Sequence, residues 1–392
     1  MKNQLSAMVS FCALFILVLF PLTSSLAAEP NVLKVGLITS ATGQMAPAFK
    51  SLLSAAKPAE DLFNQRGGVT IKGQKYQIKI VTQDDQSSPP GGIAAINRLM
   101  QDEVKFTYAP QFAVTNMAIS PIAEEAKILR IKGLGIGREE VGPSLRYSFY
   151  ADADIYTLPV LYNYLVKKYP KAKKIAIISP DDPGGKTIRE GAKKEIQKRG
   201  LDLVFEEAFK IGSEDFYPIL TRALEKKPDA IDMVISIAPW SAALINQARE
   251  LGFKGPVFAT ILADTNILNS MLNPKYAYDV FHCGADVLSP KMKPIVKDYR
   301  ALVERQLKTT LNMDHVLLIE AFYPLLQGIE KAQAFETDKV VTALEGMKSI
   351  DTIYGPGRMG GEDLFGNNHV VRGPIGLSRI MNGKVEFQFF QQ

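Results

Sequence analysis

The chain has 392 residues, of which 46% are apolar and 22% charged, and its net charge is +5. This composition excludes an intrinsically disordered chain, which would be poor in apolar residues and strongly charged, and the glycines and prolines show no collagen-like period. The charge is spread along the chain rather than gathered in a basic tail, so nucleic acid is not an expected partner. At roughly 100–200 residues per domain, the length predicts two domains, each with its own core.

The N-terminal segment has the layout of a secretory signal peptide. Lys2 makes a short basic start, residues 8–22 form a nearly unbroken apolar run, and the small residues around Ser25-Leu26-Ala27 offer a cleavage site. The apolar run is shorter than the roughly 20 residues that a membrane-spanning helix needs. We therefore predict a signal peptide over residues 1–27 and an exported, periplasmic mature chain, the alternative being an anchor that stays attached.

Beyond the predicted cleavage site the chain contains one cysteine, Cys283. A single thiol cannot form an internal disulfide, so the exported chain must be stable through its core alone. Residues 279–285 predict a strand, and we interpret Cys283 as a buried, inert thiol rather than a nucleophile.

Short β-rich apolar runs alternate with helical patterns along the first two-thirds of the chain. In the first part, strands are predicted over 32–38, 76–82, 104–108 and 128–131, and helices over 48–65, 91–101 and 114–126. After a helix ending near residue 169 the pattern restarts, with predicted strands over 174–179, 201–208, 231–238 and 256–260 and helices over 186–199, 216–226 and 241–251. Predicted helices over 294–308, 315–332 and 339–347 follow, and the glycine-rich stretch from residue 352 onward is typical of strands and turns. Strand–helix alternation builds parallel sheets with helices on both faces, so the sequence predicts two successive doubly wound α/β units.

Several motifs that would indicate catalysis are incomplete. Residues 180–187 (PDDPGGKT) lie between a predicted strand and helix as a phosphate-binding loop does, but Pro180 replaces the first glycine, and Asp181 and Asp182 add negative charge where phosphates would lie. The glycine-rich residues 133–137 are not followed by a helix at dinucleotide-binding spacing. The three histidines lie far apart, and the chain has no Gly-x-Ser-x-Gly elbow. We therefore predict no enzymatic activity, no metal and no cofactor.

Trp240, the only tryptophan, comes directly after the predicted strand over 231–238. Core packing is the usual role of such a residue. Ligands of open α/β sheets bind at the carboxyl ends of strands, so stacking on a ligand is the alternative, and the sequence leaves both open.

Five stretches, in their order and spacing, resemble the leucine/isoleucine/valine-binding-protein type of periplasmic receptors of ABC transporters. They are 33–43 (LKVGLITSATG), 64–69 (NQRGGV) with 71–73 (IKG), 83–86 (QDDQ), 246–252 (NQARELG) and 351–356 (DTIYGP). The resemblance runs from about Val32 to the C-terminus.

The resemblance implies a type I periplasmic binding protein, in which two doubly wound, Rossmann-like α/β lobes are joined by three crossover strands. The crossovers are expected near residues 146–150, 282–286 and 354–358. Lobe one would then comprise residues 32–147 and 284–354, and lobe two residues 148–283 and 355–392. The implied protein is a monomer that closes on one small molecule and delivers it to an ABC permease in the inner membrane. Alternatives are a ligand-sensing module for a receptor and, less in keeping with the motifs, an exported enzyme.

The family's ligand contacts, carried over position by position, fall largely on apolar residues. The two hydroxyl positions that hold the ligand carboxylate in amino-acid receptors fall on Ala113 and Ile136, the acidic position that meets the ammonium on Ile261, and two aromatic positions on Ile237 and Pro183. A buried ammonium without a carboxylate partner costs several kcal/mol. The resemblance therefore favours a hydrophobic or aromatic carboxylate as the ligand over a branched-chain or other amino acid.

Three charged residues enter this expectation. Asp264 could replace the missing acidic partner and keep amino acids as ligands. Arg138 and Arg146 are candidates to hold a carboxylate, and the alternative for both is a solvated charge near the hinge. The residues expected to face the ligand are Thr42, Gln44, Gln111, Phe112, Ala113, Gly135, Ile136, Tyr150, Ile237, Trp240, Ile261 and Asp264.

Overall fold

The structure, a computed structural model, describes residues 31–133, 137–152, 154–234, 237–260 and 264–390. The predicted signal peptide lies outside the described residues. No helix within these ranges is long and apolar enough to cross a membrane.

The described residues alternate between strands and helices, as the apolar pattern predicts. The strands are β1 (Val32–Thr39), β2 (Val69–Ile71), β3 (Gln74–Asp84), β4 (Phe106–Tyr108), β5 (Leu129–Lys132), β6 (Ser148–Tyr150), β7 (Lys174–Pro180), β8 (Asp202–Phe209), β9 (Ala230–Asp232), β10 (Val257–Ala259), β11 (Val280–Cys283), β12 (Ile350–Asp351), β13 (Pro356–Gly360), β14 (Val370–Arg372), β15 (Ile375–Met381) and β16 (Lys384–Phe390). The α-helices are α1 (Ala46–Gln65), α2 (Pro89–Gln101), α3 (Ala113–Glu125), α4 (Leu158–Lys168), α5 (Pro183–Lys198), α6 (Tyr217–Glu225), α7 (Ala238–Glu250), α8 (Thr265–Met271), α9 (Pro294–Leu307), α10 (Met313–Ala332), α11 (Thr337–Glu345) and α12 (Glu362–Phe365).

The strands of the described residues form two sheets. The nine-stranded sheet has the order β12-β13-β14-β6-β5-β4-β1-β3-β2, and the seven-stranded sheet the order β16-β15-β11-β10-β9-β7-β8. The inner strands of each sheet pair in parallel, and antiparallel strands lie at the edges. Two mainly parallel sheets, each with its own helices, confirm the predicted two-lobe α/β fold.

The close packing of helices on the first sheet explains one glycine inside a central strand. A Cβ atom on Gly36 of β1 would lie 2.6 Å from both Cδ1 of Leu99 and Oγ1 of Thr107. Glycine therefore lets α2 approach β1 and lets the neighbouring β4 carry a threonine.

The pairing of the strands places two of the three crossovers at positions that differ from those expected. Strand β6 pairs in parallel with β5, so it belongs to the first sheet and the first crossover follows Tyr150. Strand β14 pairs with β6, and β13 pairs with β14, so residues 355–372 lie in lobe one rather than in lobe two. The third crossover is therefore at residues 373–374, between β14 and β15, instead of 354–358. We use lobe one below for residues 32–150 and 284–372 and lobe two for residues 154–283 and 375–390, within the described ranges.

Cys283 is 3% exposed and ends strand β11. Its Sγ lies 3.7 Å from the carbonyl oxygen of Thr157, which it can reach as a weak donor. The structure thus places the thiol in the core, as the sequence predicts.

Candidate functional site

The carboxyl ends of the parallel strands in the two lobes lead into loops that approach one another. A Cβ atom on Gly137, after β5 in lobe one, would lie 3.6 Å from Oγ1 of Thr187 on α5 in lobe two. The backbone N–H of Met313 in lobe one donates to Asp264 in lobe two. This meeting of strand ends is where an open α/β sheet binds its ligand. Three expected contacts at this edge, Gly135, Ile136 and Ile261, lie outside the described residues.

Thr42 and Gln44 lie exposed in the loop after β1. The Thr42 hydroxyl donates to Oδ2 of Asp84 at 2.7 Å, and the backbone N–H of Ala41 donates to Oδ1 at 2.9 Å. Burial acts to raise the pKa of Asp84, but hydrogen bonds from Thr42, Gln86 and Ala41 outweigh it and lower the pKa. Asp84 therefore orders this loop as a carboxylate, and Thr42 keeps its oxygen as an acceptor.

Gln111, Phe112 and Ala113 form the start of helix α3. The Gln111 amide donates to the hydroxyl of Tyr108, and Phe112 and Ala113 are 7% and 9% exposed. The helix begins without a side-chain cap. Its first backbone N–H groups have no acceptor within the helix, and the positive end of the helix dipole lies among them. This helix end is suited to a carboxylate or a carbonyl oxygen.

Tyr150 is fully buried in lobe one instead of lining an open cleft. Its hydroxyl donates to the carbonyl oxygen of Gly137 at 2.7 Å, and its ring packs edge to face against Phe365. The reason is that β6 is an inner strand of the first sheet, so its side chains are covered. Tyr150 thereby holds the backbone of Gly137.

Lobe two contributes Ile237 and Trp240, both half-buried at the start of α7. The Trp240 ring packs edge to face against Phe209, with ring centres 5.5 Å apart and planes at 79°. The indole is therefore in contact with the lobe-two core while the residue remains partly exposed. This placement satisfies both roles that the sequence leaves open.

Asp264 is 8% exposed and already surrounded by donors. Its Oδ1 accepts from the backbone N–H groups of Asn266 and Ile267, and its Oδ2 accepts from that of Met313. Burial raises the pKa of this carboxyl. Asp264 could replace the family's acidic residue as the partner of a ligand ammonium, but its carboxylate already accepts hydrogen bonds from backbone groups of both lobes.

The two arginines that were expected to hold a carboxylate have neighbours within lobe one. Arg146 precedes β6, at the amino edge of the sheet, and its Nε lies 3.2 Å from the carboxylate of Asp338 on α11. The Nη2 atom of Arg138 lies 3.0 Å from the position that a Cβ atom of Gly366 would take, next to α12. The ion pair with Asp338 accounts for the charge of Arg146, and a role of Arg138 in holding a carboxylate stays a prediction.

Sequence reasoning missed a buried ion pair that involves Lys132, the last residue of β5. Nζ of Lys132 lies 2.7 Å from Oε2 of Glu140, with the two side chains 2% and 3% exposed. The Asn116 amide donates to the same oxygen at 2.7 Å. The sequence does contain an indication of this pair: Arg130 and Lys132 alternate with apolar residues in β5, a buried strand.

The charges of Lys132 and Glu140 also act on a residue of lobe two, Asp182. Asp182 caps α5 by accepting from the backbone N–H of Gly185. Burial raises the pKa of Asp182, the charge of Lys132 opposes that rise, and the charge of Glu140 adds to it. The start of α5 therefore lies close to the ion pair of lobe one.

A cavity of about 1000 Å³ flanks this region. One wall is a stripe of α5, and the opposite wall includes Tyr156, Asp363 and Arg372. The Arg372 guanidinium lies 3.8 Å above the Tyr156 ring, whose hydroxyl donates to Asp363. None of the nine expected ligand contacts that lie within the described residues lines this cavity. Among the described residues, no cluster of His, Cys, Asp and Glu could hold a metal ion.

Comparison with known proteins gives consistent matches along the chain. A family model described as periplasmic binding protein matches residues 32–383. The Leu/Ile/Val-binding protein BraC3 of Rhizobium johnstonii is 25% identical over 344 residues, which cover 85% of this chain and 90% of that protein.

Two solved structures share the fold. A leucine-binding protein, LivK, from Thermotoga maritima has a TM-score of 0.76 at 19% identity and covers 92% of this chain and 99% of its own. An ABC-transporter solute-binding protein from Rhodopseudomonas palustris in complex with 3,4-dihydroxybenzoic acid has a TM-score of 0.72 at 20% identity and covers 92% and 96%. With the family match over most of the sequence and two α/β lobes whose strand ends meet, the chain belongs to the periplasmic binding protein family, in the Leu/Ile/Val-binding-protein-like type I group of ABC-transporter solute-binding proteins.

Proposed function

We propose that this protein is the extracytoplasmic solute-binding subunit of an ABC importer. It captures one small organic molecule by closing its two lobes, as a monomer in the periplasm, and presents the closed form to a permease in the inner membrane. It performs no chemical reaction on the ligand. Family membership, together with the contacts between the two lobes at Gly137 and Thr187 and at Met313 and Asp264, is the observation that carries this proposal.

The ligand class that we propose is a hydrophobic carboxylate, preferably an aromatic one. The uncapped start of α3 offers backbone N–H groups to a carboxylate, with Phe112 and the methyl group of Ala113 beside them. Asp264 supports this choice because its two oxygens are already used by backbone donors. Burying apolar ligand surface contributes about 25 cal/mol per Å².

Amino acids are the second candidate, since BraC3 is named for leucine, isoleucine and valine. The R. palustris protein, whose structure contains an aromatic acid, has the same fold. The two candidates differ in one group, the ligand ammonium.

The decisive experiment compares ligands that differ only in that ammonium. We expect 4-methylpentanoate to raise the melting temperature more than leucine does, and 3-phenylpropanoate more than phenylalanine, with benzoate also active. Binding to the folded state alone stabilises it by about 2.7 kcal/mol at a ligand concentration 100 times the Kd. A thermal-shift screen followed by calorimetry gives the ranking, and the corresponding primary amides test the need for the negative charge. Stabilisation by leucine without any by 4-methylpentanoate would reverse the assignment of the ligand class and leave the binding function standing.

Replacing Trp240 should separate its two possible roles. If the free part of the indole stacks on the ligand, Trp240→Ala should weaken binding by about 1–3 kcal/mol, and Trp240→Phe by much less. Because the ring also packs against Phe209, the alanine variant should lower the melting temperature of the ligand-free protein as well. Calorimetry on the best ligand of the screen measures the first effect. Unchanged affinity with lowered stability would assign Trp240 to the core.

A further inference from the structure

A buried hydrogen bond joins the two lobes at the start of α10, one of two 20-residue helices of lobe one. The backbone N–H of Met313, the first residue of α10, donates to Oδ2 of Asp264 at 2.7 Å. Asp264 lies directly before α8 in lobe two. Both residues are 8% exposed, so water does not compete freely for this bond.

The start of α10 needs an acceptor that its own cap does not provide. Asn312 accepts from the backbone N–H of His315 at 3.0 Å, and the His315 ring accepts from that of Asn312 at 3.3 Å. This capping box serves the third residue of the helix and the cap itself, and it leaves the N–H of Met313 to another partner. A carboxylate at this end also interacts favourably with the dipole of a 20-residue helix.

The same carboxylate holds the start of a helix in lobe two. Oδ1 of Asp264 accepts from the backbone N–H groups of Asn266 at 3.0 Å and Ile267 at 2.9 Å. The Asn266 amide in turn donates to Asp286 at 3.0 Å, just after the second crossover. Asp264 therefore binds the first residues of α8 in lobe two and of α10 in lobe one, close to the second crossover.

Two acidic groups act on the charge of Asp264. Asp286 acts from beside the crossover, and Asp314 acts from α10, where it accepts from the hydroxyl of Ser51 at 2.9 Å. Backbone N–H groups of Ile267, Met313 and Asn266 stabilise the ionised form of Asp264 and act to lower its pKa, against the larger effect of burial. Asp286 and Asp314 both belong to lobe one, so closing the lobes brings their charges toward Asp264. The bond from Met313 opposes this repulsion in the closed form, because separating the lobes would remove one of the three donors of the carboxylate.

We propose that Asp264 is a positioning residue for ligand capture: its bond to the N-terminus of α10 forms as the lobes close and favours the closed form. The proposal rests on the proposed function, in which the ligand is bound by lobe closure. It assigns Asp264 to the equilibrium between open and closed lobes rather than to a contact with a ligand ammonium. A ligand then binds more tightly because part of the closing free energy comes from the protein itself.

The test removes the donor while keeping the helix. Met313→Pro deletes the backbone N–H at the first helical position, where proline is well tolerated, and Asn312 already has the extended conformation (φ −126°, ψ 174°) that precedes proline readily. Met313→Ala is the matched control, because it loses the same side chain and keeps the N–H. Asp264→Asn is the second variant: its amide oxygen can still cap α8, while its NH₂ group faces the N–H of Met313.

With the tightest ligand of the panel above, we expect Met313→Pro and Asp264→Asn to raise the Kd roughly tenfold relative to Met313→Ala and wild type, respectively. Combining them should add little, since both remove one bond. Small-angle X-ray scattering of the ligand-free proteins should show a larger radius of gyration for Met313→Pro than for Met313→Ala.

Equal Kd values for the proline and alanine variants would overturn the proposal. If no compound of the panel binds wild type, the proposed ligand class fails, and the scattering comparison still decides the role of Asp264: equal radii of gyration would overturn it. If Met313→Pro does not fold, Asp264→Asn against wild type provides the same two measurements.

Discussion

We expect a fragment of residues 32–147 to show no cooperative thermal unfolding, although it contains five strands and three helices of lobe one. The rest of that sheet, β6 and β12 to β14, comes from later in the chain. Helix α10 also covers the sheet, with Phe322 packed edge to face against Tyr108. Without these elements, apolar side chains that are buried in the whole protein would face water, and no single core would remain to melt as a unit.

Circular dichroism during heating measures this directly. The matched control is a chain in which residues 32–150 are joined to 284–372 by a flexible glycine- and serine-rich linker, because it contains every strand of the first sheet. We expect a sigmoidal transition for the control and a gradual loss of signal for the fragment. A sharp transition in the fragment would contradict the lobe boundaries given by the sheet pairing.

The second large effect is expected at the buried ion pair of lobe one. Lys132→Met leaves Glu140 in the interior without its cation, and removal of one partner of such a pair typically costs about 3–5 kcal/mol. The Asn116 amide still donates to Glu140, but a neutral donor does not balance the charge. Urea denaturation at neutral pH should therefore show a free energy of unfolding reduced by about this amount.

Two variants make the interpretation specific. Lys127 and Asp338 form an ion pair whose side chains are 60% and 47% exposed, so Lys127→Met should change the free energy of unfolding by about 1 kcal/mol or less. The double variant Lys132→Met/Glu140→Gln removes both charges and should recover a large part of the lost stability. If Lys132→Met lowers the free energy of unfolding no more than Lys127→Met does, the prediction is wrong and the buried pair does not contribute more to stability than an exposed one.

Most of the secondary structure could be predicted because its signals are local. The continuous apolar run at 174–179 corresponds to β7, and the amphipathic pattern at 294–308 corresponds to α9. The predicted strand over 231–238 is longer than β9, which ends at Asp232. Its last residue instead begins α7, where Pro239 in the first turn favours the helix.

The site could be predicted in outline only. The loops after the strands could be predicted as a group to lie near one another, since the carboxyl ends of parallel strands share one edge of a sheet, and their contact with a ligand stays a prediction. The roles of single side chains within them depended on partners far away in the chain. Arg146 forms an ion pair with Asp338, and the Tyr150 hydroxyl donates to the carbonyl oxygen of Gly137. The Asp264 carboxylate accepts from the backbone N–H of Met313.

The sequence by itself therefore determined the α/β class, the order of the elements and the family, because apolar periodicity, glycine and proline positions and motif spacing are properties of neighbouring residues. Only the tertiary structure decided that residues 355–372 join the first sheet, through the pairing of Val370 with Tyr150, and that Lys132 and Glu140 share one buried site. It also decided that Asp264 joins two helix starts. The partners in these pairs are far apart in the chain, so no pattern of neighbouring residues indicates that they meet. The role of each charged side chain and each edge strand depends on the partner that is buried against it rather than on its residue type.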